Sequence, residues 1–142
     1  MPDELLVFQM EIPIRWGDMD AMGHVNNTIY FRYMEQTRIS WFDAMGFRPN
    51  PQGQGPIIIN ASCTFIKQFE YPGTVLVRHY LGAIGRSSFD TRAVMSRTDD
   101  CETTYADGAA RCVWIDFPKQ KSAPLSEDVK TMIRTVRLGP NV

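Results

Sequence analysis

The sequence predicts an α+β domain in which an antiparallel sheet curls around one long helix. Three observations carry that expectation. The chain has 142 residues, 44% of them apolar and 22% charged, the size and composition of one globular domain with one core. A single stretch, Asn27 to Met45, repeats apolar residues at helical spacing. Almost everything after it alternates apolar and polar residues between turn signals, the pattern of consecutive antiparallel strands. A domain over residues 1–142 is expected, its core at about 7–117 and a tail helix at about 126–136. At this length roughly 70% of the unfolded chain's surface is buried, so no disulfide or metal staple is required.

The first strand is expected from Val7 to Trp16, where apolar and polar residues partly alternate and Pro13 suits an edge or bulge. Gly17 to Gly23 follows as a polar, glycine-bounded loop. Tyr30, Tyr33, Met34, Thr37, Trp41, Ala44 and Met45 then share one helical stripe. Phe31, Ile39 and Phe42 make the other side apolar as well, so this helix is expected to be buried nearly all round. Asn26 is its N-cap, and Val25 can staple onto Tyr30. At the other end Gly46 suits a left-handed C′ position, with Phe47 placed to touch Phe42 as in a Schellman motif.

After a Pro/Gly-rich loop, Arg48 to Pro56, Ile57, Ile59, Ala61, Cys63 and Phe65 alternate with Ile58, Asn60, Ser62 and Thr64. Pro72-Gly73 makes a turn, and Val75, Val77, His79 and Leu81 alternate up to Gly85-Arg86-Ser87-Ser88. Phe89, Thr91, Ala93 and Met95 continue, Asp99-Asp100 turns, and Tyr105 to Phe117 gives the last long strand. Ser126 caps a tail helix whose Val129, Met132, Ile133 and Val136 share a face.

Fifteen basic against sixteen acidic residues give a net charge of −1, which argues against nucleic acid as a partner. No basic, apolar leader and no run of the roughly 20 apolar residues of a membrane span is present, so a cytoplasmic protein without membrane contact is expected. Cys63, Cys101 and Cys112 have neither C-x-x-C nor paired metal spacing and read as reduced thiols. Asn26-Asn27-Thr28 and Asn60-Ala61-Ser62 match a glycosylation acceptor, which has no meaning without a secretory route.

Chemistry is concentrated between Arg15 and Asn27. Asp18, Asp20 and His24 stand just before a buried helix, where unpaired N–H groups and the macrodipole favour developing negative charge. A thioester or ester carbonyl over the N–H of Asn27 would be polarised there, with Asp20 to activate water or attack. The bland alternative is capping and turn chemistry, which accounts for one carboxylate at most. A cation held by Asp18, Asp20 and His24 would need a second ligand cluster, so no metal is expected. No G-x-S-x-G elbow, P-loop or G-x-G-x-x-G fingerprint is present. Cys63 and Cys112 sit in strand patterns and read as small core hydrophobes rather than nucleophiles. Glu35 and Arg38 read as an ion pair on the helix flank. Arg86, Ser87 and Ser88 form a turn able to hold a phosphate, or an ordinary surface turn.

The string Asp18-x-Asp20-x-x-Gly23-His24-Val25-Asn26-Asn27-x-x-Tyr30, followed by Glu35-x-x-Arg38, resembles the hotdog-fold acyl-CoA thioesterases of the 4-hydroxybenzoyl-CoA thioesterase type. Its His-Val-Asn-Asn portion is similar to the branch with bacterial long-chain acyl-CoA thioesterases and plant acyl-carrier-protein thioesterases. The resemblance covers about Ile12 to Phe117. It implies hydrolysis of an acyl-CoA to a free acid and CoA with no metal or organic cofactor. The active carboxylate falls on Asp20 and the polarising amide on Asn27, with His24 beside them. Gly23, Asn26 and the turn Arg86, Ser87 and Ser88 fall on substrate-binding positions. Benzoyl-type members carry several basic residues at that turn and this chain carries Arg86, which leaves a carrier-protein donor open. The resemblance also implies homodimers joined through sheet edges, often paired into homotetramers.

Overall fold

The computed structural model describes residues 4–48 and 50–138; the remaining positions of the expected 1–142 domain, and Pro49 of the expected 48–56 loop, lie outside the described residues. Strand β1 (Leu5–Pro13) leads through a single 3₁₀ turn (Trp16–Asp18) to helix α1 (Asn27–Ala44). Then come β2 (Gln54–Phe65), β3 (Thr74–Ile84), β4 (Ser88–Arg97), β5 (Ala106–Asp116), the two-residue β6 (Lys121–Ser122) and helix α2 (Glu127–Arg134). All pairings are antiparallel, in the order β1-β3-β4-β5-β2, with β6 beside β5. The expected α+β architecture, a sheet curled on one long helix, is what the chain forms.

Both ends of α1 follow from local chemistry. The Asn26 side chain accepts the Thr28 N–H at 2.9 Å, and Val25 and Tyr30 are buried in the same cluster. At the C-terminus Gly46 takes φ 81°, its N–H donates to the Asp43 carbonyl at 3.0 Å, and the Phe47 N–H donates to the Phe42 carbonyl at 2.9 Å. That pair of bonds is the Schellman motif, and the Phe42 and Phe47 rings meet at 6.3 Å.

The helix divides the core lengthwise. Its first half packs Tyr30, Tyr33 and Met34 on Ile14, Phe69, Val75, Met95 and Tyr105. The second half packs Trp41, Phe42 and Met45 on Val7, Leu81, Phe89, Trp114 and Ile133. Each such large side chain contributes about 1.5–3 kcal/mol on burial. The outer sheet face neutralises its own charges: Arg92 binds Glu4 and Asp107, and Arg111 binds Asp90. Among the described residues no helix is long and apolar enough to cross a membrane.

Four details depart from the expectations. First, α1 is not buried all round: Phe31 and Ile39 reach solvent, Ile39 with 54% of its surface exposed. Second, β2 carries a bulge between Ile58 and Asn60, with Ile58 opposite Cys112 and Asn60 opposite Arg111. The extra residue, Ile59, shifts the pleat by one, so Ile58 joins Ala61, Cys63 and Phe65 on the helix side while Ile57 and Ile59 face out. Third, Glu35 pairs with Arg32 at 3.8 Å rather than with Arg38. Val136 also lies beyond α2 and is exposed.

The two sheet edges differ. β1 is covered by the chain after α2, where the Arg137 N–H donates to the Val7 carbonyl at 2.7 Å. β2 ends the sheet with no strand on its outer side among the described residues.

Candidate active site

The loop between Asp18 and Asn26 folds back as a small hairpin in front of α1. The Asn26 N–H donates to the Asp18 carbonyl at 3.0 Å, Met19 bridges Val25, and the Asp20 N–H donates to the His24 carbonyl at 2.8 Å. Gly23 closes the tip at φ 80°, a left-handed conformation that favours glycine. Met19, between Asp18 and Asp20, packs against the core.

The hairpin reverses what linear distance suggests. Asp18 lies opposite the N-cap, and Asp20 lies nearer the tip. Their carboxylates differ in availability. Asp18 Oδ2 accepts the Tyr33 hydroxyl at 2.8 Å and the Arg15 N–H at 2.9 Å. Asp20 Oδ1 accepts the Met22 N–H at 2.9 Å and the His24 N–H at 3.3 Å. Each carboxylate thus keeps one oxygen without a partner among the described residues, but Asp18 is half-buried and tied to the helix through Tyr33, whereas Asp20 is exposed and bonded only within its own loop.

The same contrast runs along the helix start. The Thr28 N–H is taken by the Asn26 side chain and the Ile29 N–H by the Asn26 carbonyl. The Asn27 N–H has no acceptor among the described residues, and it stands at the positive end of an 18-residue helix.

Several residues that hold this arrangement were not singled out from sequence. Tyr33 ties the 3₁₀ turn to α1, and burial together with Asp18 raises its phenol far above the ordinary range. The Tyr30 hydroxyl accepts the Phe69 N–H at 3.1 Å, and the Val25 N–H donates to the Phe69 carbonyl at 2.9 Å. Glu70 follows, its Oε1 3.4 Å from His24 Nε2. Arg97 holds that segment by donating to the Glu70 and Pro72 carbonyls, both at 2.9 Å. The signal available in the sequence was Tyr30 and Tyr33 on a buried stripe, since a buried tyrosine needs a partner for its hydroxyl.

Arg86, Ser87 and Ser88 lie at the opposite end of the chain's fold. The Arg86 carbonyl accepts the Leu125 N–H at 2.8 Å and the Ser87 carbonyl the Trp114 N–H at 2.7 Å, beside the C-terminal half of α1. Asp20 and His24 meet in the loop hairpin, and Asn26 and Asn27 follow it at the start of α1; among the described residues no contact links the Arg86 turn to them. Cys112 and Cys63 have thiols pushed up by burial, to about 12 and about 11, and so are protonated at neutral pH. Among the described residues no three His, Cys, Asp or Glu side chains converge to hold a metal ion.

A family model described as the thioesterase-like superfamily matches residues 14–133. PA2801 of Pseudomonas aeruginosa, a candidate thioesterase, shares the fold at a TM-score of 0.86 and 35% identity, over 91% of this chain and 99% of that one. Slr0204, a 1,4-dihydroxy-2-naphthoyl-CoA thioesterase from Synechocystis, has the same fold at a TM-score of 0.79 and 19% identity, over 89% and 94% of the two chains. The uncharacterised protein YsmA of Bacillus subtilis is 25% identical over 81 residues, 57% of this chain and 55% of that protein. The match therefore spans about half the length of that curated relative.

Proposed function

Because the chain belongs to the thioesterase-like superfamily and has its hotdog fold, we propose that it hydrolyses an acyl-CoA thioester to a free carboxylic acid and CoA. One observation supports this reading above the others: the Asn27 N–H at the helix start has no acceptor among the described residues, and Asp20, the exposed carboxylate of the loop before it, has one oxygen without a partner there. In the proposal the thioester carbonyl oxygen sits on the Asn27 N–H, where the helix end stabilises the negative charge of the tetrahedral species. Asp20 takes the proton from water as general base, so that the attacking water expels CoA thiolate and leaves the acid, or attacks the carbonyl carbon itself, expelling CoA thiolate to give a mixed anhydride that water then hydrolyses to the acid. His24, paired with Glu70, and Gly23 shape the loop, and Asn26 caps the helix so that one N–H stays free.

The nucleotide end is assigned to Arg86, Ser87 and Ser88 of a second copy, since these lie away from the loop within one chain. The bare β2 edge and the exposed Phe31, Ile39 and Ile57 support a homodimer or homotetramer in the cytoplasm, with no cofactor. The lone cation of the Arg86 turn favours one alternative, an acyl-carrier protein as donor. A binding module without turnover would gain nothing from an unpaired carboxylate beside a polarising helix end.

Incubation with a panel of acyl-CoA thioesters, read by mass spectrometry, tests the proposal. Free acid and CoA are expected. Unchanged thioester with measurable binding would make the protein a binder, and a mass change of one water would make it a hydratase or dehydratase of the same fold.

A further inference from the structure

A groove of about 570 Å³ runs between α1 and the start of β2. Ile39, Phe42, Phe47, Pro56, Ile58 and Phe117 wall it. Arg38 also lines it, with 9% of its surface exposed. A guanidinium carries five N–H donors and is not silenced by deprotonation, so at this depth it calls for an anion. Among the described residues none pairs with it. Of the two carboxylates on the groove, Glu35 faces Arg32 at 3.8 Å and Asp43 faces Arg48 at 2.9 Å. Arg38 has no hydrogen bond or ion pair among the described residues, and Glu35 is the one carboxylate whose field reaches it.

The sheet side offers no anion either. His79, its basicity suppressed by burial and by Arg38, is neutral, and both its ring nitrogens and the Trp41 indole N–H are buried without partners. Cys112, near Arg38, is a protonated thiol. A cation is thus held in an apolar wall with no paired counter-ion among the described residues, an arrangement that by itself costs stability.

We propose that this groove binds an apolar chain ending in a carboxylate, with the chain on the apolar walls and the carboxylate paired to the Arg38 guanidinium. The planar fork of an arginine matches both carboxylate oxygens, and the volume is that of a small-molecule site. Asn27, Phe31, Arg38 and Phe42 follow one stripe of α1, and Asn27 to Arg38 spans roughly 16 Å at the helical rise. Two sources carry this chemistry. One is the far carboxylate of an ω-carboxyacyl thioester, a source that rests on the thioesterase reading. The other is the carboxyl group of a free fatty acid, which does not.

The test is calorimetric titration of the protein and of Arg38→Met and Arg38→Lys with dodecanoic acid, dodecanedioic acid and dodecanol, with thermal melting of each ligand-free variant. Arg38→Met should weaken binding of the acids about 10- to 100-fold, the equivalent of a charge-assisted hydrogen bond, and leave dodecanol unchanged. Arg38→Lys should lie between. Ligand-free Arg38→Met should melt at or above the parent, because an unpaired buried charge has been removed. Turnover of ω-carboxydodecanoyl-CoA against dodecanoyl-CoA separates the sources: a preference for the former that Arg38→Met abolishes assigns the distal carboxylate, and no preference assigns the free acid. Equal binding of acid and alcohol by parent and Arg38→Met overturns the proposal. So does a ligand-free Arg38→Met that melts well below the parent or loses its assembly, since the counter-ion is then Glu35 or a second copy. Thioester turnover without acid binding sinks the groove and spares the thioesterase, and acid binding without turnover of any thioester does the reverse.

Discussion

Asp20→Asn is the substitution that separates the two carboxylates of the loop. The amide oxygen can replace Oδ1 and keep accepting the Met22 and His24 N–H groups at 2.9 and 3.3 Å, so the turn survives. The NH₂ group takes the place of the unpartnered Oδ2, and it can neither accept a proton from water nor attack a carbonyl. A positioned base contributes roughly 100- to 10,000-fold, so kcat should fall by that factor, about 2.7–5.5 kcal/mol of barrier, with melting temperature unchanged. Asp18→Ala should do the opposite kind of damage. It strips the acceptor from the Tyr33 hydroxyl, 2.8 Å away on a residue 4% exposed, at a cost of about 1–3 kcal/mol of stability. The assay is kcat on the best thioester of a panel, with calorimetric binding of a non-hydrolysable analogue as control for the loop. If Asp18→Asn is the inactive variant, or Asp20→Asn keeps more than about a tenth of kcat, the reasoning from carboxylate exposure is wrong and chemistry does not pass through Asp20.

Four further outcomes are expected. Arg86→Ala should raise KM for acyl-CoA and flatten its salt dependence while sparing kcat; an unchanged KM at every salt concentration would move the nucleotide elsewhere. Glu35→Gln removes only a surface pair with Arg32 and should change stability by about 0–1 kcal/mol, so loss of turnover with an intact fold would shift the active carboxylate to the helix. Gly108→Ala places a Cβ 2.5 Å from Met34 Sδ and Cε and 3.2 Å from the Ser62 carbonyl oxygen, and should cost about 1–3 kcal/mol in denaturant unfolding; a neutral effect would mean that Met34 swings aside freely. His79 is pushed down from 6.5 to about 3 by burial and by Arg38, so below pH 6.5 the unfolded chain binds a proton that the folded chain refuses. Its contribution is complete above that pH and is lost as pH falls towards 3, by up to about 1.4 kcal/mol per unit, and His79→Leu should flatten the fall of melting temperature with acid by that slope.

The parts of the fold that could be read from the sequence are those decided within a few residues. Asn26 before a helical stripe, and Gly46 followed by Phe47, fix both ends of α1 because caps are local hydrogen-bond problems. The bulge at Ile59 was illegible: Ile57, Ile58 and Ile59 offer three equivalent side chains, and which of them drops out of the ladder is decided by β5. The motif residues Asp20 and Asn27 stand out by type and spacing. Their division of labour with Asp18 does not, because it depends on Tyr33, fifteen residues away, holding the half-buried Asp18 against α1 while Asp20 stays exposed. Glu35 and Arg38 have ideal helical spacing for a pair, yet Arg32 competes for the same carboxylate and takes it.

The bend in β2 bears on how this protein stays in solution. From Gln54 to Phe65 the strand has no charged residue, so the usual electrostatic guards of an open edge are missing from an exposed run that includes three successive isoleucines. What stands in their place is a kink. A flat strand would accept any other flat strand and keep adding copies, whereas one extra residue at Ile59 makes the edge a shaped template that fits only a strand carrying a compensating irregularity. A second copy of the chain, turned about a two-fold axis, brings the same irregularity to the junction. The edge can thus be open to its own kind and closed to filaments without spending a single lysine on the distinction.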